Sequence, residues 1–175
     1  MAAADRAAPP RVDGRPRPSS GADAVTDRSR PTVRGIHHVK VPVSDLAASR
    51  RFYETALGAV RLPGADHRHA DGRLYAHVLR LPGTEILLEL RHNPEQAARH
   101  HGFDPLTLAV ADRAELAEWD RLLTALGVPH SPVIVSIRAW VMVVEDPDGI
   151  RVRLYTAETH GPELPPDEDN PWVAG

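Results

Sequence analysis

Three short stretches of this chain carry side chains able to bind or transform a small molecule. In Ile36-His37-His38-Val39-Lys40-Val41-Pro42-Val43 an imidazole and the chain's only lysine lie two residues apart. From Leu87 to Arg91, Glu89 and Arg91 alternate with Leu88 and Leu90. In Arg151-Val152-Arg153-Leu154-Tyr155 two guanidiniums and a phenol alternate with apolar residues, as Thr107 and Ala109 do among Leu106, Leu108 and Val110. A side-chain period of two sends the polar members of such a strand to one face and the apolar members to the other. His38 and Glu89 suit proton transfer. Lys40, Arg91, Thr107, Arg151, Arg153 and Tyr155 suit the capture of a hydrogen-bonding or anionic ligand, and polar groups on the concave side of an apolar sheet make a pocket. His37 reads as a surface or structural group. Lys40, beside twenty arginines, reflects an Arg-over-Lys usage more than a Schiff-base lysine. His67, His69, His92, His100, His101, His130 and His160 fall on loops and tails and are expected to face solvent.

The elements that must position these groups occur twice. Val39, Val41 and Val43 form one face of a first strand. A helix follows, with Ser44 as its expected cap and Leu46, Phe52, Tyr53, Ala56 and Leu57 as its buried stripe, ending at Gly58. In the second half Leu106, Leu108 and Val110 play the same part. Asp112 and Glu115 form a variant capping box, and Leu116, Trp119, Leu123 and Leu126 continue at helical spacing to Gly127. Both helices end in Thr-Ala-Leu-Gly, at residues 55–58 and 124–127. Strands then flank Pro82-Gly83 in one half and Asp146-Pro147-Asp148-Gly149 in the other, and short segments near Val60–Leu62 and Pro132–Val135 supply the remaining strands. The order is βαβββ twice. The expected fold is α+β, with two tandem modules forming a half-open mixed β-sheet cleft and helices on the outside.

Composition bounds the rest. The 175 residues are 42% hydrophobic, enough for one core. Twenty-one basic against 24 acidic residues, a net charge of -3, give no reason to expect nucleic acid or an anionic membrane as partner. No cysteine is present, which removes disulfides and thiol chemistry. No run approaches the roughly 18 apolar residues of a membrane span, and the N-terminus lacks the apolar core of a secretory signal. A cytoplasmic location is expected. Residues 1–32 hold six arginines, four aspartates and five prolines, and residues 158–175 hold five acids, no arginine or lysine and four prolines. Both are expected to be disordered tails flanking a domain at 33–157, with Trp172 as the residue able to fold back.

The stretch Ile36 to Gly58, the opening of the second half, and Asp146-Pro147-Asp148-Gly149 with its following strand resemble the vicinal-oxygen-chelate superfamily. It includes glyoxalase I, extradiol dioxygenases, methylmalonyl-CoA epimerase, fosfomycin-resistance enzymes and metal-free bleomycin-binding proteins. The resemblance covers roughly residues 34–157. It implies a divalent metal (Fe, Mn, Ni or Zn) held from the first, fourth, fifth and eighth strands, positions that fall on His38, Glu89, Pro105 and Arg153. Pro105 offers no donor atom and Arg153 is a fixed cation, so the resemblance and the residues disagree. Loss of the metal is the expectation, with Arg153 pairing Glu89 in its place.

Three functions compete. A metal-free protein binding a small ligand, anionic or of natural-product type, as a sequestering resistance protein does, leads. An enzyme of the same fold (lyase, isomerase, epimerase or dioxygenase) is the alternative, with His38 and Glu89 as acid–base groups or with a metal held through further ligands such as His77. A regulatory subunit with a vestigial cleft is third. Relatives of this kind commonly form homodimers.

Overall fold

The computed structural model describes residues 31–173. The tail expected over 1–32 therefore lies outside the described residues except for its last two. A compact unit begins at Ile36, and within it each half of the sequence builds one mixed sheet. The first half runs β1 (His38–Val43), α1 (Leu46–Ala56), β2 (Val60–Arg61), β3 (His67–Arg68), β4 (Leu74–Arg80) and β5 (Leu87–His92). β1 lies parallel to β5, and the order is β1-β5-β4-β2, with β3 also pairing β4. A short helix, α2 (Pro94–Arg99), leads to the second half: β6 (Leu106–Val110), α3 (Arg113–Leu126), β7 (Ile134–Val135), β8 (Ala139–Glu145) and β9 (Arg151–Thr159). Its order is β6-β9-β8-β7, with β6 parallel to β9. The two sheets repeat one plan, the βαβββ order read from the sequence, with the two-residue β3 as an additional strand in the first half.

Local chemistry explains the boundaries. Asp45, one residue later than expected, caps α1, because its Oδ1 accepts from the N–H groups of Ala47 and Ala48 at 2.7 and 3.0 Å. These bonds are the main reason its carboxyl titrates below the usual range. The displaced Ser44 instead donates its backbone N–H to Asp148 in the second half, at 2.9 Å. Asp112 Oδ1 accepts from Glu115 N–H at 2.9 Å, while the Glu115 carboxylate reaches back to Ala111 N–H at 2.6 Å. α3 ends at Gly127 with φ +65°, the left-handed C-terminal geometry that glycine adopts without a Cβ clash.

The apolar faces of both sheets and both long helices meet in one cluster. It includes Val41, Tyr53, Leu88 and Leu90 from the first half and Leu116, Leu123, Met142 and Leu154 from the second, each at most 1% exposed. Burying a leucine side chain contributes roughly 1.5–3 kcal/mol, so this common core holds the two sheets to one another. No helix among the described residues is long and apolar enough to cross a membrane.

The C-terminal segment, expected to be a disordered tail, is described as far as Val173. β9 continues to Thr159, and the chain then returns along the edge of the second sheet. His160 N–H donates to Arg138 C=O at 3.0 Å, and Asp167 exchanges two bonds with Val135, at 2.9 and 3.1 Å. The imidazole of His160 titrates above its ordinary value, chiefly through its bond to Gly161 C=O. The composition of the segment is unsuited to a core, but its backbone groups and acidic side chains find partners on strand edges.

Candidate ligand-binding site

The pleat leaves one face of the first sheet uncovered by helix. Register places Lys40 opposite Glu89 and Pro42 opposite Arg91, with Val78 and Ala76 of β4 beyond them and His67 of β3 opposite Ala76. Val78 and Ala76 form a buried apolar floor, and Glu89 lies in it at 2% exposure. A buried carboxylate requires charge-assisted partners. Arg91, two residues along the same face, supplies them, with Nε 2.6 Å from Oε1 and Nη2 at the same distance. His38 Nε2 lies 3.4 Å from Oε2 and His67 Nδ1 lies 3.5 Å from Oε1. Tyr75 forms a wall, with the Arg91 guanidinium 5.1 Å from its ring centre and the rings of His67 and His69 at 5.7 and 4.7 Å. Lys40 is exposed.

The uncovered face of the second sheet carries Thr107, Arg153 and Val143 in one row and Ala109, Tyr155 and Val141 in the next. Arg151 lies 3.5 Å from Glu145 and donates to the carbonyls of Pro171 and Trp172, both at 3.3 Å. Thr107 is exposed and Tyr155 half-buried.

The structure therefore assembles His38, Glu89 and Arg91 on one sheet, and Thr107, Arg151, Arg153 and Tyr155 on the other. The expected Glu89–Arg153 pair does not form. Arg153 binds Asp104, just ahead of the strand that neighbours it, and Glu89 takes Arg91. In each case the acid is satisfied from its own sheet. His77, considered as a further metal ligand, shares its face with Leu90 and lies on the core side. Its Nδ1 is 3.2 Å from Asp66, which also binds Arg61. Burial alone would raise the Asp66 pKa, but the bonds from Arg61 and His77 prevail and lower it.

His67 was expected in solvent and instead borders Glu89. Its Nδ1 is buried without a hydrogen-bond partner. Asp71-Gly72 carried the missed signal: an Asp-Gly turn, here with Gly72 at φ +83°, pairs the residues before it with β4.

A family model described as the Glyoxalase/Bleomycin resistance protein/Dioxygenase superfamily matches residues 35–154. The chain belongs to that superfamily. Among solved structures it is similar to TnmS3, an antibiotic binding protein from Streptomyces sp. CB03234. The two share 20% identity over 74% of this chain and 100% of that one, with a TM-score of 0.58. Lactoylglutathione lyase from Agrobacterium tumefaciens aligns at 17% identity over 72% and 96% of the two chains, TM-score 0.55. The fosfomycin resistance protein FosX from Listeria monocytogenes aligns at 14% over 73% and 96%, TM-score 0.57. At these identities the likeness concerns the fold. No curated protein matches the chain.

Proposed function

We propose that this chain is a small-molecule binding protein that works without a resident divalent metal, its ligand held on the uncovered sheet faces. The observation that carries this reading is the state of Glu89. Its Oε1 receives two nitrogens of Arg91 at 2.6 Å, so a metal held between Oε2 and His38 would have a guanidinium charge on the same carboxylate. The donor set does not fit a metal for a second reason: Pro105 has no ligand atom, and Arg153 adds positive charge and is engaged by Asp104. What is left is a polar ring of His38, His67, Glu89 and Arg91 above an apolar floor. Such a ring suits a ligand with hydrogen-bonding groups, and Lys40 and Arg91 favour an anionic one. That a fold relative is an antibiotic binding protein supports sequestration of a natural product as the form of this function. The protein acts as a homodimer in the cytoplasm, with neither nucleic acid nor membrane as partner.

The 3.4 Å approach of His38 to Glu89 favours a second reading, an enzyme that uses the pair as acid and base. Elemental mass spectrometry of purified protein, with His38→Ala and Glu89→Ala controls, tests the first. No stoichiometric Fe, Mn, Ni or Zn after divalent metals are supplied is the expected result. About one equivalent that either substitution removes would overturn it.

A further inference from the structure

The floor of the second sheet's uncovered face is apolar and fully buried: Ile134, Val141 and Val143 are each at most 1% exposed. Among the described residues no helix lies on that side. Beside Ile134 the face is flanked by Arg153 and by Pro166, Asp167 and Val173 of the chain's own C-terminal segment. Two cavities, of about 340 and 490 Å³, lie against this face, and both are lined by Arg153 and Val173. The first also takes Ile134, Pro166 and Asp167; the second takes Phe103, Arg151 and Trp172.

The segment offers the face three kinds of group. The Trp172 indole stacks on the Arg151 guanidinium, 5.2 Å from ring centre to Cζ. Carbonyl oxygens of Pro171 and Trp172 accept from Arg151 Nη1. The Asp167 carboxylate accepts from Val135 N–H. An aromatic ring together with oxygen acceptors and negative charge is what two arginines over an aliphatic floor select. Arg153 is paired with Asp104 through Nη2, but its Nε is buried without a hydrogen-bond partner, so one donor of the face is left open by the segment.

We infer that the second sheet's uncovered face is a binding site for a planar aromatic anion, and that Pro166–Val173 occupies it as an intramolecular stand-in. The inference rests on the reading that the sheet faces take a small molecule, and it adds the ligand class and its control. A ligand enters by displacing Trp172 from Arg151 and offering its own anion to the open Nε of Arg153, beside the Asp104 pair. Asp167, Glu168 and Asp169 leave with the segment, which removes negative charge that would oppose an anionic ligand. The closed state is therefore a competitor at fixed effective concentration.

The test uses 8-anilinonaphthalene-1-sulfonate, an aromatic sulfonate whose fluorescence reports binding. It is titrated into the full chain, Trp172→Ala, Asp167→Ala, and Trp172→Ala combined with Arg153→Ala. Trp172→Ala is expected to bind the dye about tenfold more tightly than the full chain, with Asp167→Ala shifted in the same direction. Removing Arg153 is expected to abolish the gain. Urea midpoints matching the parent show that the dye reports a site and not loosened packing, and Asp167→Ala serves if Trp172→Ala fails to fold. Equal affinity for all four proteins overturns the stand-in. No binding by any of them overturns the site as well, whereas the metal analysis at Glu89 succeeds or fails independently of both.

Discussion

Asp146→Asn should stabilise this protein at pH 8 and leave it nearly unchanged at pH 4. Asp146 is 5% exposed. Its Oδ1 accepts from the N–H groups of Asp148 and Ile150, both at 2.9 Å, and its Oδ2 accepts from Tyr53 O–H at 3.2 Å. Burial is the largest influence and pushes the carboxyl from 3.8 to about 6, aided by the charge of Asp148 and opposed by the backbone bonds. Tyr53 is pushed upward in turn, by its own burial first and by Asp146 second. A folded-state pKa above the unfolded value means that the protonated form favours folding. That contribution is complete below pH 3.8 and is lost as pH rises through about 6. The rise corresponds to roughly 3 kcal/mol at about 1.36 kcal/mol per pH unit. Asparagine mimics the neutral acid: its amide oxygen keeps both backbone donors, and its NH2 can donate to the Tyr53 oxygen. Urea denaturation of both proteins at pH 4, 6 and 8 should show an advantage for the variant that grows to about 2–3 kcal/mol across the series. An advantage that stays constant with pH, or a variant that is weaker at pH 8, would refute the argument and show that the charged carboxylate's hydrogen bonds outweigh its desolvation.

Arg91→Ala strips buried Glu89 of its cation and should cost about 1–3 kcal/mol by urea denaturation, most of it restored when Glu89→Gln is added; equal losses with and without Glu89→Gln would show that the pair carries no coupling. Asp112→Ala leaves Glu115 N–H unpartnered at the start of α3 and should lower stability by about 1 kcal/mol in the same assay, an effect that Asp112→Ser mostly avoids.

The repeated plan was legible because it is written in short-range periodicities. Val39, Val41 and Val43 alternate with His38, Lys40 and Pro42, and a pleat of period two leaves no other assignment of faces once one face is apolar. Thr55–Gly58 and Thr124–Gly127 mark helix ends because both glycines take positive φ, +66° and +65°. α2 was missed although Asn93-Pro94 signals it: Asn93 caps the helix through Gln96 N–H at 3.0 Å, and Pro94 takes the first helical position. What periodicity cannot give is which ion meets which. With twenty arginines in the chain, the partner of Glu89 is chosen by register and reach. Arg91 sits on the same strand and face, whereas Arg153 is claimed by Asp104 beside its own strand. His67 follows the same logic, since its place beside Glu89 depends on a two-residue strand whose pairing shifts register between His67 and Arg68. The C-terminal segment is the converse case. Prolines and acids predict disorder when the sum considered is apolar burial, but Asp167, Pro171 and Trp172 are held by strand-edge N–H groups and a guanidinium that composition does not count. The segment thus has partners without contributing to the core. That is the energetic position of an element able to leave its place while the two sheets behind it stay folded.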